Sequence, residues 1–164
     1  MFELVLLFSR YLFAFYIIFY LWQGVVYVAE EQGYYIGNPY YAVSIQRIII
    51  IFFHITAYLI LAYIPGEFFF NIRYLLVGAG GLLFIIIALS VTRRVYKKSC
   101  PLIWNSMIFL LDIGMVMLQR LKPELAEKQL VWMTFGVCIM LLIPLILKLI
   151  PRFEMFEKLY IIVT

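Results

Sequence analysis

The sequence predicts an all-α, polytopic membrane helix bundle with five transmembrane helices and the start of a sixth. Of its 164 residues, 66% are hydrophobic and 13% charged, against about 45–50% and about 25% in soluble domains. Mean hydropathy is +1.04, and the apolar residues gather in five long blocks separated by short polar stretches. Backbone groups in lipid must be paired within the chain, so these blocks are expected to be helices. A crossing takes about 20 residues and five take about 100, which leaves no room among these residues for a soluble domain and excludes a soluble globular enzyme.

The first block, residues 11–28, has Gln23 as its one strongly polar member. Residues 1–10 lack the basic start and cleavage signal of a secretory leader, so this segment is expected to remain in the membrane. Residues 29–46 read as a polar connecting loop carrying Glu30, Glu31, Tyr34, Tyr35, Tyr40 and Tyr41, with rings suited to the headgroup zone. The second block, residues 47–64, opens on Arg47, whose long stem lets its charge snorkel, and stops at Pro65 and Gly66. Its run of isoleucines would favour a strand in water, but an unpaired strand in lipid leaves its backbone unsatisfied, so helix is expected.

The third block, residues 74–91, contains Gly78, Ala79, Gly80 and Gly81, small residues that let a neighbouring helix approach closely. A dinucleotide fingerprint is rejected there, because the position of its last glycine is Leu83 and no strand precedes it. The fourth block covers residues 102–118 and the fifth residues 130–150, where Pro144 is expected to bend the helix. Residues 159–164 (LYIIVT) open a further apolar run. That predicts a fragment of a longer protein.

The net charge is +4 and the isoelectric point about 9.1, yet the 13 Lys and Arg residues form no basic stripe of the kind that binds nucleic acid. They report orientation instead. The densest cluster, Arg93, Arg94, Lys97 and Lys98, marks the cytoplasmic side. By alternation Arg47, Lys148, Arg152 and Lys158 share that side, while Arg10, Arg73, Arg120, Lys122 and Lys128 lie outside with the N-terminus. Cys100 in a polar loop and Cys138 in an apolar run sit at different depths, so both are expected as free thiols.

Two ionisable residues fall inside the apolar blocks. His54 lies near the middle of the second crossing. An imidazole bonded to another helix is the plain reading, and no Cys, Asp or Glu stands at ligand spacing to suggest a metal. Asp112 is flanked by Leu110, Leu111, Ile113, Gly114 and Met115, so it must face the bundle interior or water. Counted from Leu118 it lies roughly 9 Å deep. Residues 119–129 read as an outer polar loop, in which Pro123 with Glu124 and Glu127 starts a short helix. Its cations Arg120, Lys122 and Lys128 provide phosphate-binding capacity at the outer face.

Residues 112–132 (DIGMVMLQRLKPELAEKQLVW), followed by Gly136, resemble the start of the core in the FtsW/RodA/SpoVE family of cell-division, cell-shape and sporulation proteins, also called SEDS. The family's first core helix ends in a Gly-x-Val-Met-like run, matched by Gly114, Val116 and Met117. A basic residue and Gln open its next helix, matched by Lys128 and Gln129, after a Leu-Ala pair matched by Leu125 and Ala126. The basic residue is usually Arg in the family and is Lys128 here.

The resemblance covers residues 105–164 and makes residues 1–104 three extra N-terminal helices. It implies a peptidoglycan glycosyltransferase of the bacterial plasma membrane that polymerises lipid II, the polyprenyl-linked disaccharide precursor, beside a class B penicillin-binding transpeptidase. The family's catalytic Asp lies in a later outer loop, so Asp112 receives no catalytic role and these residues alone are expected to be inactive. Lys128, Gln129, Arg120 and Asp112 become candidates for lining the substrate cavity. No cofactor is implied for these residues, and a divalent cation is left to the complete enzyme. Two other readings stand beside this one: a lipid flippase or small-molecule transporter using His54 and Asp112 as an intramembrane relay, and a membrane scaffold without chemistry.

Overall fold

A computed structural model describes residues 2–34, 37–63, 71–96 and 99–149. Within them the chain forms five helices and no strand: α1 (Phe2–Glu31), α2 (Pro39–Ala62), α3 (Ile72–Val95), α4 (Pro101–Leu121) and α5 (Pro123–Leu149). Each is long and apolar enough to cross a membrane. The chain is a multi-pass helical membrane protein. Tyr35, Pro65, Gly66, Lys97, Lys98, Arg152, Lys158 and the expected sixth crossing lie outside the described residues.

The helices outrun the apolar blocks, and the reason is local chemistry at their starts. Pro39, Pro101 and Pro123 each open a helix, where a missing N–H costs nothing and the fixed φ is already helical. Asn38 caps α2 by accepting from the Tyr40 N–H at 3.0 Å, and Asn71 caps α3 by accepting from the Arg73 N–H at 3.0 Å. Two expectations are thereby corrected. Residues 29–46 are mostly helix rather than loop, with Tyr40 and Tyr41 exposed in the first turn of α2. The expected outer loop 119–129 is the end of α4 and the start of α5, joined at Lys122. Polarity marked both stretches as loops apart from the helix start expected at Pro123, which opens α5; the start of α2 is marked by Asn38 and Pro39.

Helices α2, α3 and α4 pack against one another, α1 runs along α2, and α5 lies against α3 and α4. The shared core joins Ile50 and Phe53 of α2, Phe84, Ile85 and Ala88 of α3, Ile108 and Phe109 of α4 and Tyr20 of α1. Phe53 meets Phe109 edge-on with centroids 5.2 Å apart, and Tyr20 lies over Phe109 at 4.4 Å. Lipid tails are as apolar as these rings, so close packing and buried hydrogen bonds hold the helices together rather than exclusion from water. The outer faces of α1 and α5 expose Phe15, Trp22, Trp132, Phe135 and Ile139, as a hydrocarbon surrounding requires.

The glycine run of α3 acts as the sequence predicts. A Cβ on Gly78 would lie 2.7 Å from the Tyr58 ring, and one on Gly81 would lie 2.7 Å from His54 Cε1. On the neighbouring side, a Cβ on Gly80 would lie 2.9 Å from Leu130 Cδ2. The bare backbone of α3 thus receives two aromatic rings from α2 and a leucine from α5.

Candidate functional site

His54 and Asp112 meet in the interior. His54 Nδ1 is 2.5 Å from Asp112 Oδ1, and Nε2 is 2.8 Å from the carbonyl oxygen of Gly78. Each side chain comes from a residue only 2% exposed. The pair ties α2 to α4, and the second ring nitrogen ties α2 to α3. Its position follows from helix rotation: His54 shares the buried face of α2 with Ile50, Ala57 and Tyr58, and Asp112 shares that of α4 with Asn105, Ile108, Met115 and Gln119.

The donor count restricts the protonation of this pair. A carbonyl oxygen only accepts, so Nε2 carries a hydrogen and donates to Gly78. The Nδ1 contact with Oδ1 needs one further hydrogen, held either by an imidazolium or by a carboxylic acid. In both arrangements the pair has no net charge, which is the state least costly to bury in hydrocarbon. The geometry therefore provides a position where one proton is shared between two side chains.

Asp112 also lies further from the end of its helix than the apolar block implied. Helix α4 continues to Leu121, nine residues beyond Asp112, so about 1.5 Å per residue puts the carboxyl roughly 14 Å from that helix end. Toward the same end, the Tyr58 ring lies 4.5 Å from the His54 ring and packs with Val77 and Met115. Asp112 Oδ2, the Tyr58 hydroxyl and both polar atoms of Gln119 are buried without a hydrogen-bond partner among the described residues.

A second polar group sits near the opposite end of the bundle. Asn105, 0% exposed, donates to Val43 O and to Gln46 Oε1, each at 3.2 Å, while its Oδ1 accepts from Arg47 Nε at 3.3 Å. Sequence reasoning passed over Asn105, Gln46, Tyr58 and Gln119 as site residues. Asn105 and Gln119 were nonetheless detectable, since they share the three-and-four spacing that puts residues 105, 108, 112, 115 and 119 on one face.

The expected cavity residues separate. Lys128 and Gln129 are exposed on the first turns of α5, and Asp112 is buried among α2, α3 and α4. Arg120 lines an apolar groove of about 520 Å³ between α1, α2 and α4, with Phe13, Ile17, Phe53, Ile113 and Met117 along its walls. On α3, Arg73 pairs with Glu127 of α5 at 2.5 Å between exposed side chains. Among the described residues no group of three His, Cys, Asp or Glu side chains could hold a metal ion. Cys100 and Cys138 are both free, the first half-buried and the second exposed on α5.

The fold and this interior define a class: a multi-pass helical membrane protein with a His–Asp pair between three helices. No family model, curated protein or solved structure matches the chain.

Proposed function

We propose that these residues are the amino-terminal membrane part of a peptidoglycan glycosyltransferase of the FtsW/RodA/SpoVE kind, in the bacterial plasma membrane with the N-terminus outside. The observation that supports this reading is the groove ending at Arg120. It has apolar walls for an isoprenoid chain and a guanidinium at the end where the phosphate of lipid II would sit, a geometry guanidinium suits well. Lys122, Lys128 and Gln129 stand at the same end of the bundle. The resembling residues, 112–132, form the α4–α5 hairpin that carries this end. The role proposed for the chain is to hold the lipid substrate. The glycosyl transfer, the divalent cation and the class B transpeptidase belong to the complete assembly.

The test is binding of a fluorescent polyprenyl diphosphate to the chain in nanodiscs, with the phosphate-free polyprenol as reference. Losing a charge-assisted hydrogen bond worth about 1.5–3 kcal/mol weakens binding roughly tenfold to a hundredfold, and that loss is expected for Arg120→Gln. Equal binding of diphosphate and alcohol would overturn the reading.

The His54–Asp112 contact favours a second reading, proton-coupled transport of a lipid or small molecule. Flux in reconstituted vesicles that Asp112→Asn abolishes, in a variant that still folds, would support it. Unchanged flux counts against it.

A further inference from the structure

At the end of the bundle where α3 finishes, three guanidiniums line one cavity, and among the described residues none of them forms an ion pair. Arg93 and Arg94 are the basic residues of the last turn of α3, where cations suit the helix dipole. Arg47 reaches them from α2. It lies eight residues inside that helix, roughly 12 Å from its start.

Arg47, Arg93 and Arg94 together line a cavity of about 490 Å³, with Ser90 beside them and Ile51, Ile86 and Leu89 forming its apolar wall. Arg47 and Arg93 also line an adjoining cavity of about 170 Å³ with Ser44, Tyr96 and Trp104. The partner given by the structure to Arg47 is Asn105 Oδ1 at 3.3 Å, taken by Nε alone. A guanidinium has five N–H donors, so the four on its two terminal nitrogens are left for another acceptor. The carboxylates described at this end, Glu30 and Glu31 of α1, form no ion pair with these arginines, because the ion pairs among the described residues are His54–Asp112 and Arg73–Glu127. Two guanidiniums lining the same cavity repel each other in a low-dielectric setting unless an anion lies between them.

We propose that Arg47, Arg93 and Arg94 form a binding site for the phosphate of an anionic phospholipid, with an acyl chain laid along Ile51, Ile86 and Leu89. Apolar wall and charged rim are continuous within one cavity, which fits a molecule with an anionic head and a hydrocarbon tail better than a soluble anion. Basic pockets between membrane helices bind anionic headgroups on this principle. The site lies at the opposite end of the bundle from Arg120 and does not depend on the reading proposed above.

The experiment is native mass spectrometry of the delipidated full chain titrated with phosphatidylglycerol, phosphatidylcholine or inorganic phosphate. Phosphatidylglycerol is expected to bind at least about tenfold more tightly than phosphatidylcholine, the effect of a single 1.4 kcal/mol contact. Arg47→Gln combined with Arg93→Gln should remove that preference, while Arg10→Gln at the other end keeps it. Should the double variant fail to fold, the exposed Arg93→Gln and Arg94→Gln singles must each reduce the preference. Equal binding of the two lipids, a preference that survives in the arginine variants, or full displacement by inorganic phosphate would each overturn the proposal. Failure here leaves the polyprenyl diphosphate result at Arg120 unaffected.

Discussion

Substituting Gly81 by Ala tests whether the His54–Asp112 pair is held in place by the bare backbone of α3. The added Cβ would lie 2.7 Å from His54 Cε1 and 3.2 Å from Nε2, well inside contact distance. The imidazole cannot step aside freely, because Nδ1 is tied to Asp112 and Nε2 to the Gly78 carbonyl. Either α2 and α3 separate or one of these bonds is lost. Overpacking of this kind costs about 1–3 kcal/mol, and a middle value of about 2 kcal/mol corresponds to a fall of about 4–8 °C in melting temperature for a chain of this size. The assay is thermal unfolding in detergent micelles. Gly114→Ala and Gly136→Ala serve as references, since a Cβ at either position meets nothing within 4 Å and alanine gains up to about 1 kcal/mol in helix propensity. If Gly81→Ala melts as high as these references, the close approach of α2 and α3 at His54 is wrong, and with it the positioning role of α3.

The other predictions follow from single contacts. Asp112→Ala strands His54 Nδ1 and is expected to cost about 1–3 kcal/mol of stability, whereas Asp112→Asn supplies an amide donor to Nδ1 and should cost less; chemical unfolding in micelles separates the two. Asn105→Leu removes the partner of both Gln46 Oε1 and Arg47 Nε, with an expected loss of about 2–3 kcal/mol that the same measurement checks. Cys100, at the α3–α4 junction beside Arg93 and Arg94, should react with an impermeant maleimide only from the cytoplasmic side, as labelling of oriented vesicles would reveal; reaction from the outer side reverses the proposed topology.

Hydropathy alone gave the class and the five crossings found among the described residues. Hydropathy is a local property, and each block long enough to span lipid must close its own backbone hydrogen bonds, so five apolar blocks mean five helices whatever their packing. The glycine run at residues 78–81 was also legible, because a stretch without side chains can only invite a close neighbour. Local polarity misplaced the helix ends at 29–46 and 119–129, where Pro39, Pro123 and Asn38 carried the better signal. Tertiary structure alone decided which polar residues meet. His54 and Asp112 are 58 positions apart, and their contact depends on how α2 and α4 are rotated about their axes and on α3 lacking side chains at Gly78 and Gly81. The convergence of Arg47 with Arg93 and the placing of Arg120 at a groove between three helices have the same origin. Such meetings depend on the angles and depths at which separate helices pack, quantities that a one-dimensional pattern of apolar residues does not contain.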